Sequence, residues 1–401
     1  MQILHDVDLV IKEQFTLLKG SKILYLDTAA TSLKPEMVIE AECEFYRRHY
    51  ATVHRSLYPR AQEATKDLYL TRELIAKRIG APSVKGIIFT RGATDSLNQV
   101  AQFLMQIIEG GGEILISPLE HHANLLPFKA LEKKGLLKIR DLPVHPSGAV
   151  NFEALFEMDL SHVRALTIAH VSNVTGVTQD LKQLGAICRT KNWVFIVDGA
   201  QSLAHKKLDV VDCEIDFLAF SAHKMYGPTG VGALYIADRF VDLLEPINYG
   251  GDMILELDKD MHFQEPPLKF EAGTPAIAQI IGWKEALNFQ SSAIFEKKVE
   301  TLGYIASAYR EGLKAINGVE ILSAPDSGSI ITFVVSGVHS MDLALLLGEN
   351  GVEVRSGSLC ALNALKFFEV NSFLRISLGI YNTLDEVDSF FNKLKKVLQF
   401  F

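Results

Sequence analysis

The stretch FSAHKMYGPTG, Phe220–Gly230, lies one short strand beyond IVDGAQ, Ile196–Gln201, and these two segments decide the fold. WVFIVD is an apolar run ending in a carboxylate, Asp198, and DFLAFS is a second apolar run leading into Ser221, His223 and Lys224. Short apolar runs bounded by Gly and Pro read as strands buried on both faces, the habit of parallel sheets. In such sheets ligands bind just past the C-terminal strand ends, where Asp198 and Lys224 fall.

Outward from this pair the pattern alternates. KGIIFT (85–90), EILIS (113–117), LLKIRDLPV (136–144), VRALTIAHV (163–171) and VGALYI (231–236) read as further strands, and TDSLNQVAQFLMQII (94–108) and NLLPFKALEKKG (124–135) as helices. The alternation predicts an α/β fold with a mainly parallel sheet covered on both faces. Thr94, His121 and Asn173 also follow strand ends. Near the start, Val7, Val10, Ile11, Phe15 and Leu18 have helical spacing, ILYLD (23–27) is a short strand ending in TAATS, and 35–80 reads mostly as helix, broken near ATVHRSLYP. Beyond about Gly273 come two long helices, the strands VEILS, SIITFVV, VEVRS and FLRISLGI, and the helices MDLALLLGEN and LDEVDSFFNKLKKVLQF. The expected division is a large domain over 21–275, a smaller α+β domain over 276–401, and a segment 1–20 packing with the latter.

The chain has 401 residues, 48% of them hydrophobic, and a formal net charge of -8, so bulk electrostatics argues against nucleic acid as a partner. The acidic, mixed N-terminus does not read as a signal peptide, and no apolar run is long enough to span a membrane, so the expectation is a cytoplasmic protein. The cysteines Cys43, Cys188, Cys213 and Cys360 are widely spaced without a Cys-x-x-Cys pair, which argues against a zinc site or disulfide framework.

Asp198 alone could be a metal ligand, a helix cap or the partner of a protonated ring nitrogen. With Gln201 three residues on and Lys224 ending the next strand, the pattern suits pyridoxal 5′-phosphate (PLP): a Schiff-base lysine and a carboxylate for the pyridine nitrogen. Gly92-Ala93-Thr94 opens a helix after a strand and offers backbone N–H groups and a hydroxyl to a phosphate, or simply an N-cap. Ser221 and His223 lie close enough to join the same phosphate cup. GPTGVG (227–232) lacks the order of a nucleotide loop and reads as a turn. His121 could stack on a ring or shuttle a proton, and the His121-His122 pair lacks the spacing of a metal site.

Ten stretches, among them YLDTAATSLKP, TVHRSLYPRAQEAT, ILISPLEHHANLLPF, AHVSNVTGV, VDGAQSLAH, DFLAFSAHKMYGPTGVGALY, FEAGTP, VEVRSGSLCA and LRISLGIYNTLDEVD, run in order nearly end to end. Together they resemble the group II, SufS/CsdA-like cysteine desulfurases of the class V aminotransferase superfamily. The resemblance implies PLP fold-type I: a seven-stranded, mostly parallel sheet sandwiched by helices, plus a smaller C-terminal α+β domain. It also implies catalytic roles for Lys224, Cys360 and His121, with His121 on the ring face, Asp198 on the ring nitrogen and Gln201 on the 3′-oxygen. Thr94, Ser221 and His223 would hold the phosphate, Asn173 would sit beside cofactor and substrate, and Arg375 would clamp the substrate carboxylate, a planar job that Lys does poorly. Thr274 would reach the phosphate of the other subunit of a homodimer.

The implied reaction converts L-cysteine to L-alanine, with a persulfide on Cys360 passed to a SufE-like acceptor for iron–sulfur cluster assembly. L-selenocysteine as substrate, a β-lyase or epimerase that does not use Cys360, or a PLP-binding assembly subunit are the alternatives. A lone Cys is usually a small buried hydrophobe, but Cys360 follows the small-residue segment Arg355-Ser356-Gly357-Ser358. In the family this loop reads Arg-x-Gly-His-His-Cys-Ala-x-Pro. Here Leu359 replaces the histidine before the cysteine and cannot share a proton or stabilise a thiolate, and Asn363 replaces the proline, so the loop is expected to be less constrained. Asp27-Thr28-Ala29-Ala30 and Tyr58 also depart from the family's Asn and His.

Overall fold

The computed structural model describes residues 2–108 and 110–401. Seven strands form the central sheet: β1 (Ile87–Thr90), β2 (Glu113–Ile116), β3 (Lys138–Asp141), β4 (Val163–Ala169), β5 (Val194–Asp198), β6 (Phe217–Ser221) and β7 (Gly232–Ile236). Their order is β1-β7-β6-β5-β4-β2-β3, and only β7 runs against its neighbours. Every residue of β5, β6 and β7 is buried. Successive side chains enter different cores: Phe195, Val197 and Leu218 pack in one, Val194, Ile196 and Phe217 in the other. Period-two alternation between two apolar layers is how a continuous apolar run becomes a strand covered on both sides.

The helical stretch 35–80 resolves into Glu36–Glu44, a wider turn over Phe45–His49, and α1 (Pro59–Ile79). Pro59 starts α1 where its missing N–H costs nothing, and Gly80, at φ 65°, ends it. α2 (Ala93–Ile107) follows β1. α3 (Ile277–Gln290) packs on Glu36–Glu44 and α1 and carries Trp283 against Phe220 and Phe89. α4 (Ala293–Lys314) packs on an antiparallel sheet of β8 (Val319–Ile321), β9 (Ile330–Val335), β10 (Arg355–Gly357) and β11 (Phe373–Ser377), ordered β8-β9-β11-β10, and α5 (Asp385–Leu398) packs on α4.

Two features were not expected. ILYLD does not join the central sheet: Leu24–Tyr25 pairs in parallel with Val352–Glu353, and Asp27 bridges to Ser377. A hairpin, Ile254–Leu257 with Met261–Phe263, leaves Leu255, Leu257 and Met261 exposed, so no buried face marks it in the sequence. Among the described residues no helix is long and apolar enough to cross a membrane.

Candidate active site

β5 and β6 end side by side, Asp198 opposite Ala219, and a cavity of ≈ 250 Å³ opens past them. Lys224, Asp198, Gln201, His121 and Asn173 line it, as do Thr94, Ser221, His223, Arg375 and Cys360. Thr274 is not among the lining residues; it is exposed, four residues past Phe270.

Lys224 closes the single turn Ala222–Lys224 directly after β6. Burial pushes its amine below the usual lysine range, opposed by the charge of Asp198. Burial likewise raises the Asp198 carboxyl, opposed by the Ala200 N–H, which donates to Oδ1 at 2.9 Å, and by Lys224. Gln201 Nε2 donates to the carbonyl of Ala29 at 2.8 Å, tying the TAATS turn to this wall.

The other wall is a close meeting of backbones. Gly92, at φ 139°, precedes α2, and the Ala93 N–H donates to Ser221 Oγ at 2.7 Å. A Cβ on Gly92 would sit 3.1 Å from Ser221 Oγ, and one on Gly232 would collide with the Phe220 carbonyl and Gly92 Cα. Small residues are therefore required where β7 meets the start of α2, a helix end suited to an anion. His223 Nδ1 lies 3.1 Å from Thr31 Oγ1, and burial pushes the ring down to about 4.

His121 Nδ1 accepts from the Ala123 N–H at 3.1 Å, so its proton sits on Nε2. Burial first, then Lys224, His122 and Arg375, push it down to about 4, so the ring is neutral near pH 7. Beside it Glu120 is buried; its oxygens accept from the Ala169 N–H at 3.0 and 3.1 Å and from Asn124 Nδ2 at 2.7 Å. Burial pushes this carboxyl up to about 8, against those donors and with the Asp198 charge.

Arg375 enters from β11 and is buried. One terminal nitrogen donates to the Asn173 carbonyl at 3.0 Å and the other to Asp27 Oδ1 at 3.1 Å, while Nε is buried and has no partner among the described residues. Arg355 stands opposite it in the β10–β11 register and also lines the cavity.

Cys360 is exposed at the cavity, whereas Cys188 and Cys213 are buried and burial raises both their thiols. Leu359 and Cys360 lie consecutively in the left-handed region, at φ 53° and 56°. Each such non-glycine residue costs on the order of 1–3 kcal/mol and persists only where surroundings over-determine it. Here they do. Asn173 Nδ2 donates to the Leu359 carbonyl at 2.8 Å, the His122 N–H to the Cys360 carbonyl at 2.7 Å, and the Leu362 N–H to His122 Nε2 at 3.1 Å. The Leu359 side chain is buried among Leu119, Val174 and Phe373. The loop is thus tied down although Asn363 stands in the place of proline.

Sequence reasoning assigned no role to Asp27, Glu120, His122 or Arg355. Arg355 alone carried a signal, a second arginine in a strand facing FLRIS.

Residues 24–390 match the family Aminotransferase class-V. A Staphylococcus aureus protein named "Probable cysteine desulfurase" is 38% identical, covering 99% of this chain and 98% of its own. One of the same name from Vibrio cholerae is 34% identical, covering 97% and 98%. Among solved structures, the Escherichia coli cysteine desulfurase CsdA superposes with a TM-score of 0.91 at 35% identity, covering 98% of each chain. The apo cysteine desulfurase of Thermococcus onnurineus gives 0.92 at 33% identity, covering 97% of this chain and 98% of the other.

Proposed function

Since the chain belongs to the aminotransferase class-V family, we propose that it is a PLP-dependent cysteine desulfurase that converts L-cysteine to L-alanine and carries the sulfur as a persulfide on Cys360. One observation carries the reading: a single cavity gathers a buried amine, a buried carboxylate, a neutral imidazole, a buried guanidinium and an exposed thiol.

The donor set fits PLP. Asp198 offers a buried anion to a pyridine nitrogen, and the start of α2 with Thr94, Ser221 and His223 offers donors to a phosphate. Bound PLP supplies an aldehyde for an amine and a ring that accepts the Cα electron pair. The protein residues do the rest. Arg375, with Nε free of protein partners, orients the substrate carboxylate. Lys224 Nζ, its pKa lowered by burial, serves as the base that takes the Cα proton. His121, neutral with its proton on Nε2, donates or relays protons on the adjacent face. The Cys360 thiolate attacks the substrate sulfur: the S–S bond forms as the substrate Cβ–S bond breaks, and the three-carbon remainder takes up protons to leave as L-alanine. An acceptor thiol then removes the sulfur by exchange.

The exposed Thr274, outside this cavity, supports a homodimer in which it serves the other subunit's phosphate. The resemblance to the SufS/CsdA group supports a SufE-like acceptor, iron–sulfur cluster assembly and a cytoplasmic setting. The test is alanine and sulfide release from L-cysteine with reductant, for wild type and Cys360→Ala. Stoichiometric products that collapse in the variant are expected. Equal turnover in both would move the chemistry to a lyase that does not need Cys360.

A further inference from the structure

The mechanism gives no role to a histidine that stands next to the cavity-lining His121. His122 follows the cavity-lining His121 and makes two bonds to the Cys360 loop: its N–H donates to the Cys360 carbonyl at 2.7 Å, and its Nε2 accepts the Leu362 N–H at 3.1 Å. These two bonds hold the thiol residue's own carbonyl and the amide two residues beyond it. Among the described residues, the backbone bonds within the loop are Ala361 N–H to the Ser358 carbonyl at 2.9 Å and Ala364 N–H to the Ala361 carbonyl at 2.9 Å. Those are local, and they do not fix where the turn sits relative to Lys224. Of the three bonds that reach across to the central sheet's side, His122 makes two and Asn173 one.

We propose that His122 is a positioning residue for sulfur transfer: its imidazole holds the Leu362 amide, and so keeps the left-handed Leu359–Cys360 turn aimed at the cavity. This rests on the proposed desulfurase reading. An Nε2 that accepts requires the proton on Nδ1, the opposite tautomer to His121. The two neighbouring histidines thus divide the work, one ring lining the cavity and the other gripping the loop. The grip has a defined chemical requirement, one acceptor at the distance of Nε2, which a Gln side chain can meet and Ala cannot.

The test uses full-length holoenzyme of wild type, His122→Ala and His122→Gln, with two readouts. The first is amide hydrogen exchange across 358–364 in the absence of substrate. The second is rapid mixing with L-cysteine, following the cofactor absorbance change and, by alkylation and mass analysis, the Cys360 persulfide. For His122→Ala we expect faster loop exchange and persulfide formation slowed by about tenfold or more, since small misplacements of reacting groups have effects of that order. The absorbance change and KM should stay within about twofold, and His122→Gln should recover most of both losses. Loop exchange unchanged in His122→Ala overturns the proposal. So does faster exchange with an unchanged persulfide rate, or a parallel loss of the absorbance change, which would assign His122 to the cofactor. If wild type itself forms no persulfide, the functional reading fails, and the exchange data still decide whether His122 anchors the loop.

Discussion

Arg375→Lys separates the structural job of the buried guanidinium from its proposed one, holding the substrate carboxylate. Arg375 gives one N–H to the Asn173 carbonyl and one to Asp27 Oδ1, and its buried Nε–H faces no protein acceptor. A lysine ammonium has three donors radiating from one atom; it can neutralise Asp27 but cannot also reach the Asn173 carbonyl and present a planar edge to a carboxylate. The loss is about one charge-assisted hydrogen bond to substrate, about 1.5–3 kcal/mol. That converts to about a 10- to 160-fold fall in kcat/KM for L-cysteine. Stability should change little, because Asp27, 17% exposed, keeps a cation. Arg375→Leu removes the cation as well and should destabilise by about 3–5 kcal/mol, the cost of an uncompensated buried charge. The assay is steady-state alanine release with cofactor content and thermal unfolding measured on the same preparations. A kcat/KM for Arg375→Lys within about threefold of wild type, at full cofactor content, would refute the assignment of the substrate carboxylate to this side chain.

Arg72 and Glu271 form a buried bidentate pair at 2.7 and 2.9 Å, with the Phe89 N–H donating to Glu271 at 2.6 Å, so Arg72→Leu should cost about 3–5 kcal/mol in thermal or urea unfolding and Arg72→Leu/Glu271→Gln distinctly less. A single variant within about 1 kcal/mol of wild type contradicts this. Glu120 should make stability pH-dependent: its folded pKa is raised to about 8, so its contribution is complete below the unfolded carboxyl pKa and is lost as pH rises through about 8. The melting-temperature advantage of Glu120→Gln over wild type should therefore grow from about pH 5.5 to pH 8.5, and a constant offset counts against a neutral buried Glu120.

How much the chain announces depends on where its information sits. β5 and β6 are legible because each is one unbroken apolar run bounded by polar or glycine residues, and the residues following them are legible because strand ends collect in one place. ILYLD is equally legible as a strand, yet its partner, Val352–Glu353, is some three hundred positions away, and pairing at that separation has no local signature. The exposed hairpin at Ile254–Phe263 has no buried face to impose a period. In the site, Lys224 and Asp198 stand out by residue type, whereas Asp27 and His122 act through partners brought in by the fold: Arg375 for one, the Leu362 amide for the other. Leu359 misleads in the opposite direction. Read as the loss of a histidine, it suggests only that a proton-sharing neighbour of the thiol is gone, but its side chain is buried with Leu119 and Val174 and becomes an apolar anchor.

The segment after β4 is where the two sheets are registered to each other. The Asn173 carbonyl accepts from Arg375 while its Nδ2 donates to the Leu359 carbonyl. The next carbonyls continue the seam: Val174 accepts from Thr332 Oγ1 at 2.6 Å and Thr175 from the Ala324 N–H at 2.9 Å. Arg375 and the Cys360 loop therefore share one support in Asn173, beside the separate bonds of Arg375 to Asp27 and of the loop to His122. A shift of β8–β11 against the central sheet strains both Asn173 bonds at once, so Asn173 couples the placement of Arg375 to that of the Cys360 loop. On the proposed reading, a substrate held by its carboxylate at Arg375 presents its sulfur toward Cys360 at an offset that Asn173 helps to set.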